Sequence, residues 1–122
     1  MANAFNLNRS EQEGVIVLGL EGYLDAHTAP LFERAIETEF STGHTKLIAD
    51  CARLDYISSA GLGVFMSFIE DIRSVGGDIK LCAIVPKVYQ VFDVLGFPEL
   101  FDIVDTVPAA LARFTEGARK ED

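Results

Sequence analysis

The sequence predicts one α/β domain in which helices pack against a mainly parallel central sheet with an edge strand. Its 122 residues, 49% of them hydrophobic, are enough to form a single core. Short apolar runs alternate along the chain with stretches whose apolar residues recur at helical spacing. Strands that alternate with helices are joined by right-handed crossovers, so this order predicts a parallel sheet covered by helices.

The first half of the chain contains three predicted strands and one predicted helix. Residues 5–9 are predicted as an edge strand before a buried, Val- and Ile-rich strand at residues 14–20. Thr28 is a candidate N-cap, and apolar residues three and four positions apart then predict an amphipathic helix that ends at Gly43. Residues 46–51 form a short apolar run, which predicts the second core strand.

The second half of the chain continues the alternation. The predicted elements are a central helix that ends at Gly76 and Gly77, a strand at 78–85, a helix at 86–95 stopped by Gly96, a short strand at 101–104 and a last helix at 108–115. We assign residues 1–116 to the domain and residues 117–122 to a polar C-terminal tail.

Charge and composition exclude several classes of protein. A net charge of −9 and the lack of a Lys or Arg cluster argue against direct binding of nucleic acid. No apolar run is long enough to span a bilayer, and the first ten residues lack the features of a secretory signal. Cys51 and Cys82 lie in apolar stretches without metal-ligand spacing, which predicts buried, reduced thiols. The sequence therefore predicts a cytoplasmic protein without a membrane span.

Two loops that follow predicted strands are the first places to search for function, because sites in open α/β sheets lie beyond the carboxyl ends of strands. The second of these loops presents Ser58 and Ser59 where a helix begins. Simple helix capping by serine is the alternative to a functional role. Gly61 and Gly63 cost the helix about 1 kcal/mol each relative to alanine, so either a partner or the sheet must approach these positions closely.

Catalytic and metal-binding patterns are missing from the sequence. No Gly-x-Ser-x-Gly elbow is present, and His27 and His44 lie in predicted loops without an associated nucleophile. The two histidines and two cysteines are scattered and lack the pairing of a zinc site. We therefore expect no enzyme activity, no catalytic residue, no metal and no cofactor.

Three segments give the chain its resemblance to a known family. They are Gly22-Tyr23-Leu24-Asp25-Ala26-His27-Thr28, Leu54-Asp55-Tyr56-Ile57-Ser58-Ser59-Ala60-Gly61-Leu62-Gly63, and Gly76-Gly77 before a strand. With these landmarks over nearly its whole length, the chain resembles the STAS-domain anti-sigma-factor antagonists, the partner-switching regulators of bacterial signalling and sigma-factor-dependent transcription. The resemblance implies a single STAS-like domain.

The resemblance also implies a phosphorylation site and a partner surface. In the family, a serine before Gly-Leu-Gly accepts phosphate, and the match to Gly61-Leu62-Gly63 assigns this role to Ser59. This chain carries Ser58 where many relatives carry an aspartate, which changes the local charge and the contact with the kinase, and Ser58 is the alternative acceptor. The implied partner-binding residues are Asp25, Thr28, Ser58, Ser59, Ala60, Gly61, Leu62 and Gly63. For Asp25, an Asx-type turn before the helix is the alternative role.

The implied partners are an anti-sigma factor that is also a serine kinase, and a serine phosphatase. The unphosphorylated chain would bind the anti-sigma factor and release the sigma factor, and phosphate on Ser59 would end this binding. The alternative is a STAS scaffold or accessory subunit, in a signalling assembly or in lipid transport, without sigma-factor control. The sequence leaves open which sigma factor is regulated and whether the chain self-associates.

Overall fold

A five-stranded sheet organises the computed structural model, which describes residues 4–120 and the side chains of residues 4–115. The strands lie in sequence order across the sheet, and they are β1 (Phe5–Gln12), β2 (Val15–Leu24), β3 (Lys46–Ile57), β4 (Asp78–Cys82) and β5 (Ile103–Val104). The helices are α1 (Ala29–Ser41), α2 (Ser59–Ser74), α3 (Pro86–Val94), α4 (Phe97–Leu100) and α5 (Val107–Lys120). The predicted fold class is confirmed, including the edge strand β1.

The strand pairing divides the helices between two layers. β1 and β2 form an antiparallel hairpin, whereas the other neighbouring strands pair in parallel. Each crossover moves one strand further in the same direction, so right-handed connections place α1 to α4 on one face. The core clusters agree: residues of α1 to α4 pack together on one face, and α5 covers part of the other.

Phe65 of α2 is the centre of the larger core layer. Its ring is fully buried and lies 5.0 Å from the ring of Phe32, 6.1 Å from those of Phe92 and Phe97, and 6.0 Å from that of Phe101, measured between centroids. All four contacts are edge-to-face, the geometry that aromatic quadrupoles favour. One ring on α2 therefore joins α1, α3, α4 and the segment before β5.

A buried lysine ties α5 to the opposite face of the sheet. The Lys80 Nζ donates hydrogen bonds to Asp78 and Asp102, each at 3.0 Å, and lies 4.6 Å from the ring centroid of Phe114 on α5. Burial raises the pKa of Asp102, but the hydrogen bond from Lys80 and the nearby positive charges outweigh it, so this pKa lies below its ordinary value. The paired carboxylates compensate the buried ammonium, as a buried charge requires.

Both cysteine thiols are free and buried, as predicted. Cys51 belongs to the core under α1 to α4, and Cys82 belongs to the core under α5. Burial raises the pKa of the Cys82 thiol to about 12 and raises that of Cys51 further. Among the helices that the structure describes, none combines the length and the apolar character of a membrane span.

The two central strands extend further than predicted. β2 ends at Leu24 instead of residue 20, and β3 ends at Ile57 instead of residue 51. The pairing of β2 with β3 shifts between Gly19 and Glu21 and again between Gly22 and Tyr23, and such bulges break the regular alternation that predicts a strand. The predicted loop after residue 51 is therefore mostly strand.

Other boundaries differ for local reasons. β4 ends at Cys82 rather than at residue 85. The next residue, Ala83, takes a left-handed conformation with φ of 60°, which ends the strand. The sequence prediction missed α4, whose four residues are too few to show helical periodicity. α5 extends from Val107 to Lys120, beyond the predicted residues 108–115.

An ion-pair cluster fastens the edge strand to α1. The Arg9 guanidinium donates from Nε and Nη2 to the two oxygens of the Glu39 carboxylate, at 2.6 and 3.1 Å. The Nδ1 of His44 lies 3.0 Å from the same carboxylate. The hydrogen bond from Arg9 is the main cause that lowers the pKa of Glu39 below 4.5, against an opposing effect of burial.

We expect Glu39 to contribute to acid sensitivity. A carboxyl group whose pKa is lowered by folding stabilises the protein above its unfolded pKa, and this contribution is lost as the pH falls through the folded pKa. Glu39→Gln should therefore lower the urea midpoint at pH 7, and its difference from the parent should shrink as the pH falls through the unfolded and then the lower folded pKa of the carboxyl group. Glu37→Gln, at an exposed position of the same helix, is the control. A constant difference for Glu39→Gln across this pH range would contradict the assignment.

Candidate functional site

The carboxyl ends of β2 and β3 place the two sequence-predicted loops side by side. Leu24 and Ile57, the last residues of these strands, are register partners in the parallel pair. Asp25 and Ser58 follow them directly, and the Ser58 N–H donates to the Leu24 carbonyl at 2.9 Å. The candidate site is therefore formed by the loop after β2 together with the first turns of α2.

The loop after β2 is held by Asp25 and Thr28. The Asp25 Oδ1 accepts hydrogen bonds from the backbone N–H groups of His27 at 3.0 Å and Thr28 at 3.2 Å, which is the Asx turn considered above. The Thr28 hydroxyl donates to the Tyr23 carbonyl at 2.8 Å and accepts from the Asp25 N–H at 2.9 Å.

Thr28 does occupy the N-cap position of α1, but its side chain does not cap the helix. The hydroxyl is directed back to β2 instead, where it fixes the loop. The predicted N-cap position of Thr28 is therefore confirmed, but its hydroxyl does not bond the helix, because a nearby strand carbonyl competes for it.

The two adjacent serines have different environments. Ser58 is the N-cap residue of α2, yet its Oγ is buried and has no hydrogen-bond partner among the described residues. Ser59 is the first residue of the helix and is exposed. A macromolecule can thus reach the Ser59 hydroxyl without any rearrangement, whereas the Ser58 hydroxyl is enclosed.

The first turn of α2 leaves backbone donors available. The Leu62 N–H closes the first helical bond onto the Ser58 carbonyl at 3.0 Å. Within the described part of the chain, the N–H groups of Ser59, Ala60 and Gly61 have no protein acceptor. Free donors and the positive end of the helix dipole make this turn compatible with a negatively charged group.

The sequence left open whether the sheet or a partner approaches Gly61 and Gly63, and the structure gives a different result for each glycine. A Cβ on Gly61 would lie 2.8 Å from Leu24 Cγ, 2.9 Å from Ile57 Cγ1 and 3.0 Å from the Leu24 carbonyl oxygen. Gly61 is therefore required for tight packing of α2 on the sheet. A Cβ on Gly63 would meet no atom within 4 Å apart from its chain neighbours and the backbone of its own helix, so the space beside Gly63 is open.

An exposed stripe runs along α2 from the serine. Each member lies three or four positions from another member, and all are exposed: Ser59, Gly63, Met66, Ser67 and Glu70. Met66, 46% exposed, is a large apolar side chain in this stripe. We refer to these five residues as the α2 stripe.

The eight residues predicted to bind a partner are neighbours, but they do not all reach the surface. Gly61 and Leu62 are buried on the side of α2 that faces the core, whereas Ser59 and Gly63 are exposed. The partly buried residues are Asp25, Thr28, Ser58 and Ala60.

Sequence reasoning missed two tyrosines at this end of the sheet. Tyr23 and Tyr56 are register partners, and their ring centroids are 5.6 Å apart. Each precedes a loop residue of the site, Asp25 or Ser58, by two positions, and this shared offset was the signal that could have revealed them. Tyr56 is 45% exposed, so it adds an aromatic surface near the loops.

Comparison with known proteins gives a consistent family. The STAS domain family matches residues 6–110. BtrV of Bordetella bronchiseptica is 32% identical over 108 residues, which cover 88% of this chain and 93% of BtrV. The anti-sigma-B factor antagonist of Bacillus subtilis is 26% identical over 99 residues, covering 80% and 89% of the two chains.

Solved structures show the same fold. The anti-sigma factor antagonist SpoIIAA in its unphosphorylated form superposes with a TM-score of 0.78 at 26% identity, covering 93% of this chain and 97% of SpoIIAA. The phosphorylated form of Bacillus SpoIIAA gives a TM-score of 0.69 at 26% identity, covering 91% and 99%. The match over residues 6–110 includes all of β1 except Phe5, the other four strands, and both loops of the candidate site. The chain therefore belongs to the STAS domain family, as its sequence landmarks predicted.

Proposed function

We propose that this chain is an anti-sigma-factor antagonist whose binding is controlled by phosphorylation of Ser59. The unmodified chain binds an anti-sigma factor that is also a serine kinase, so the sigma factor is released. The phosphorylated chain no longer binds, and a serine phosphatase restores it. The observation that carries the proposal is the exposed Ser59 hydroxyl at the first residue of α2, next to a serine whose hydroxyl is enclosed.

The names of the relatives support the role of antagonist. Relatives from Bacillus subtilis and Paenibacillus polymyxa are named anti-sigma factor antagonists, and SpoIIAA has been solved with and without phosphate. The exposure of Ser59 supports it over Ser58 as acceptor, because a kinase must bring the hydroxyl oxygen in line with the γ-phosphate.

Local electrostatics support a switch that acts at the surface and leaves the fold intact. A phosphate adds a charge of about −1.5 to −2, which the free N–H groups of the first helical turn can accommodate. The same charge at the end of the α2 stripe would have to be desolvated when a partner covers that surface. The α2 stripe and the loop of Asp25 and Thr28 are the proposed docking surface, and Met66 offers an adaptable apolar contact.

We expect Ser59 to be the only residue that the cognate kinase phosphorylates. Ser59→Ala should abolish incorporation of phosphate, while Ser58→Ala should retain it, because the Ser58 hydroxyl is buried and is not needed as a helix cap. Incubation with serine kinases of the same genome, followed by mass spectrometry of the modified peptide, measures this. Phosphate on Ser58 in the parent protein would overturn the assignment. If no such kinase modifies the chain, the scaffold role becomes the better hypothesis.

A negative charge at residue 59 should weaken binding without unfolding the protein. Ser59→Asp should bind the kinase at least about tenfold more weakly than the parent, whereas Ser59→Ala should bind normally. Ser74→Asp adds the same charge at the exposed C-terminal end of α2 and serves as the control. Calorimetric titration paired with thermal melts tests this. Normal binding by Ser59→Asp, or a loss of binding that only follows a loss of stability, would refute the mechanism.

The two glycines of α2 should separate packing from docking. Gly61→Ala should destabilise the fold by about 1–3 kcal/mol, because its methyl group would overlap Leu24 and Ile57. Gly63→Ala should leave the fold unchanged or stabilise it by up to about 1 kcal/mol, since the added methyl group meets open space. Affinity for the kinase should nevertheless fall in Gly63→Ala. A stable Gly63→Ala protein that binds as tightly as the parent would remove Gly63 from the docking surface.

A further inference from the structure

The outer edge of β1 has no strand partner and is long enough to pair with another strand. β1 is the terminal strand of the sheet, and within residues 4–120 no strand pairs with its outer side. Its eight residues contain no Pro and no Lys, and its pairing with β2 is continuous without a bulge. Soluble proteins often protect such an edge by proline, lysine or a bulge, and the only charged residues of β1 are Arg9 and Glu11. The opposite edge, β5, is only two residues long and offers little to pair with.

The hairpin geometry shows which backbone groups are free. The Tyr23 N–H donates to the Ala4 carbonyl, so Ala4 faces β2. Because backbone groups alternate in an antiparallel pair, the even-numbered residues of β1 also face β2. The N–H and C=O groups of the odd-numbered residues therefore point outward, and these residues are Phe5, Leu7, Arg9 and Glu11.

Charge favours a second copy of this chain as the occupant. Although the chain carries a net charge of −9, β1 contains one Arg and one Glu, so its net charge is zero. The Arg9 guanidinium uses Nε and Nη2 for Glu39, and its side chain remains 47% exposed. Glu11 is exposed and lies on the same side of the strand as Arg9, two residues further on.

We propose that two copies associate through antiparallel pairing of β1, about a twofold axis at Ser10, so that their sheets become one continuous sheet. In this register Arg9 of each copy lies directly opposite Glu11 of the other, which is a favourable cross-strand pair. Both residues belong to the odd-numbered set that presents free backbone groups, so each pair also forms backbone hydrogen bonds. A register with Arg9 opposite Arg9 would instead place like charges together.

This association is independent of the proposed switch. The twofold axis lies at Ser10, whose partner on β2 is Val17, whereas the candidate site follows Leu24. Seven residues of strand separate the two positions, a distance of about 23 Å at roughly 3.3 Å per residue. Both serine loops would remain accessible in the dimer.

Sedimentation equilibrium of the full chain over a range of concentrations tests the association. The parent should pass from 13.3 kDa towards twice that mass as its concentration rises. Glu11→Pro removes an outward N–H without removing a bond to β2, so it should raise the dimer dissociation constant at least about tenfold while thermal melting stays cooperative. Glu11→Arg, which keeps the N–H but faces Arg9 of the other copy, should have the same effect without the proline ring.

Single cysteine substitutions test the register. Under mild oxidation, Ser10→Cys should form a symmetric disulfide dimer, because residues opposite each other in a non-hydrogen-bonded pair have Cα atoms about 4.5 Å apart. Asn8→Cys is the matched control and should remain unlinked. The buried native thiols should not react in either variant.

Three outcomes would overturn the proposal. The first is a parent protein that remains monomeric up to about millimolar concentration, and a simultaneous loss of kinase binding in Glu11→Pro would then identify the kinase as the occupant of the edge. The second is a dimer that neither Glu11 variant weakens. The third is cross-linking of Asn8→Cys in preference to Ser10→Cys.

Discussion

The parallel pairing of β2 with β3 is the constraint on which the rest of the site depends. Because Leu24 and Ile57 end these strands as register partners, Asp25 and Ser58 must leave the sheet together. The hydrogen bond from the Ser58 N–H to the Leu24 carbonyl then fixes where α2 begins. The backbone hydrogen bonds between β2 and β3 therefore set the position of each loop relative to the other.

Side-chain packing sets the orientation of α2 on the sheet. Gly61 allows the helix to approach Leu24 and Ile57 closely, and Phe65 holds it further along through four aromatic contacts. With one side of the helix fixed in this way, Ser59 and Gly63 must lie on the other side. A buried glycine and a buried phenylalanine therefore determine which serine is exposed.

The order of elements was predictable from the sequence because the long helices keep apolar residues at helical spacing and the central strands keep short apolar runs. The ends of β2 and β3 were not predictable, since the bulges near Gly19 and Gly22 hide the alternation, and the short α4 shows no helical period.

For the site, the sequence correctly predicted that both loops follow the carboxyl ends of strands and so lie at one edge of the sheet. It could not assign different roles to Gly61 and Gly63, because that difference depends on which side of the helix meets the sheet. The pairing of Tyr23 with Tyr56 likewise depends on register, which a single sequence does not reveal.

The burial of both cysteines limits what the protein can sense. Thiols react with oxidants and electrophiles as thiolates, and a raised pKa keeps Cys51 and Cys82 protonated at physiological pH. These are the only two cysteines in the sequence, and they lie in separate core layers on opposite faces of the sheet. The folded chain thus offers no reactive thiol to peroxide or to a disulfide reagent. An oxidant could therefore reach either thiol only after the packing around it has opened.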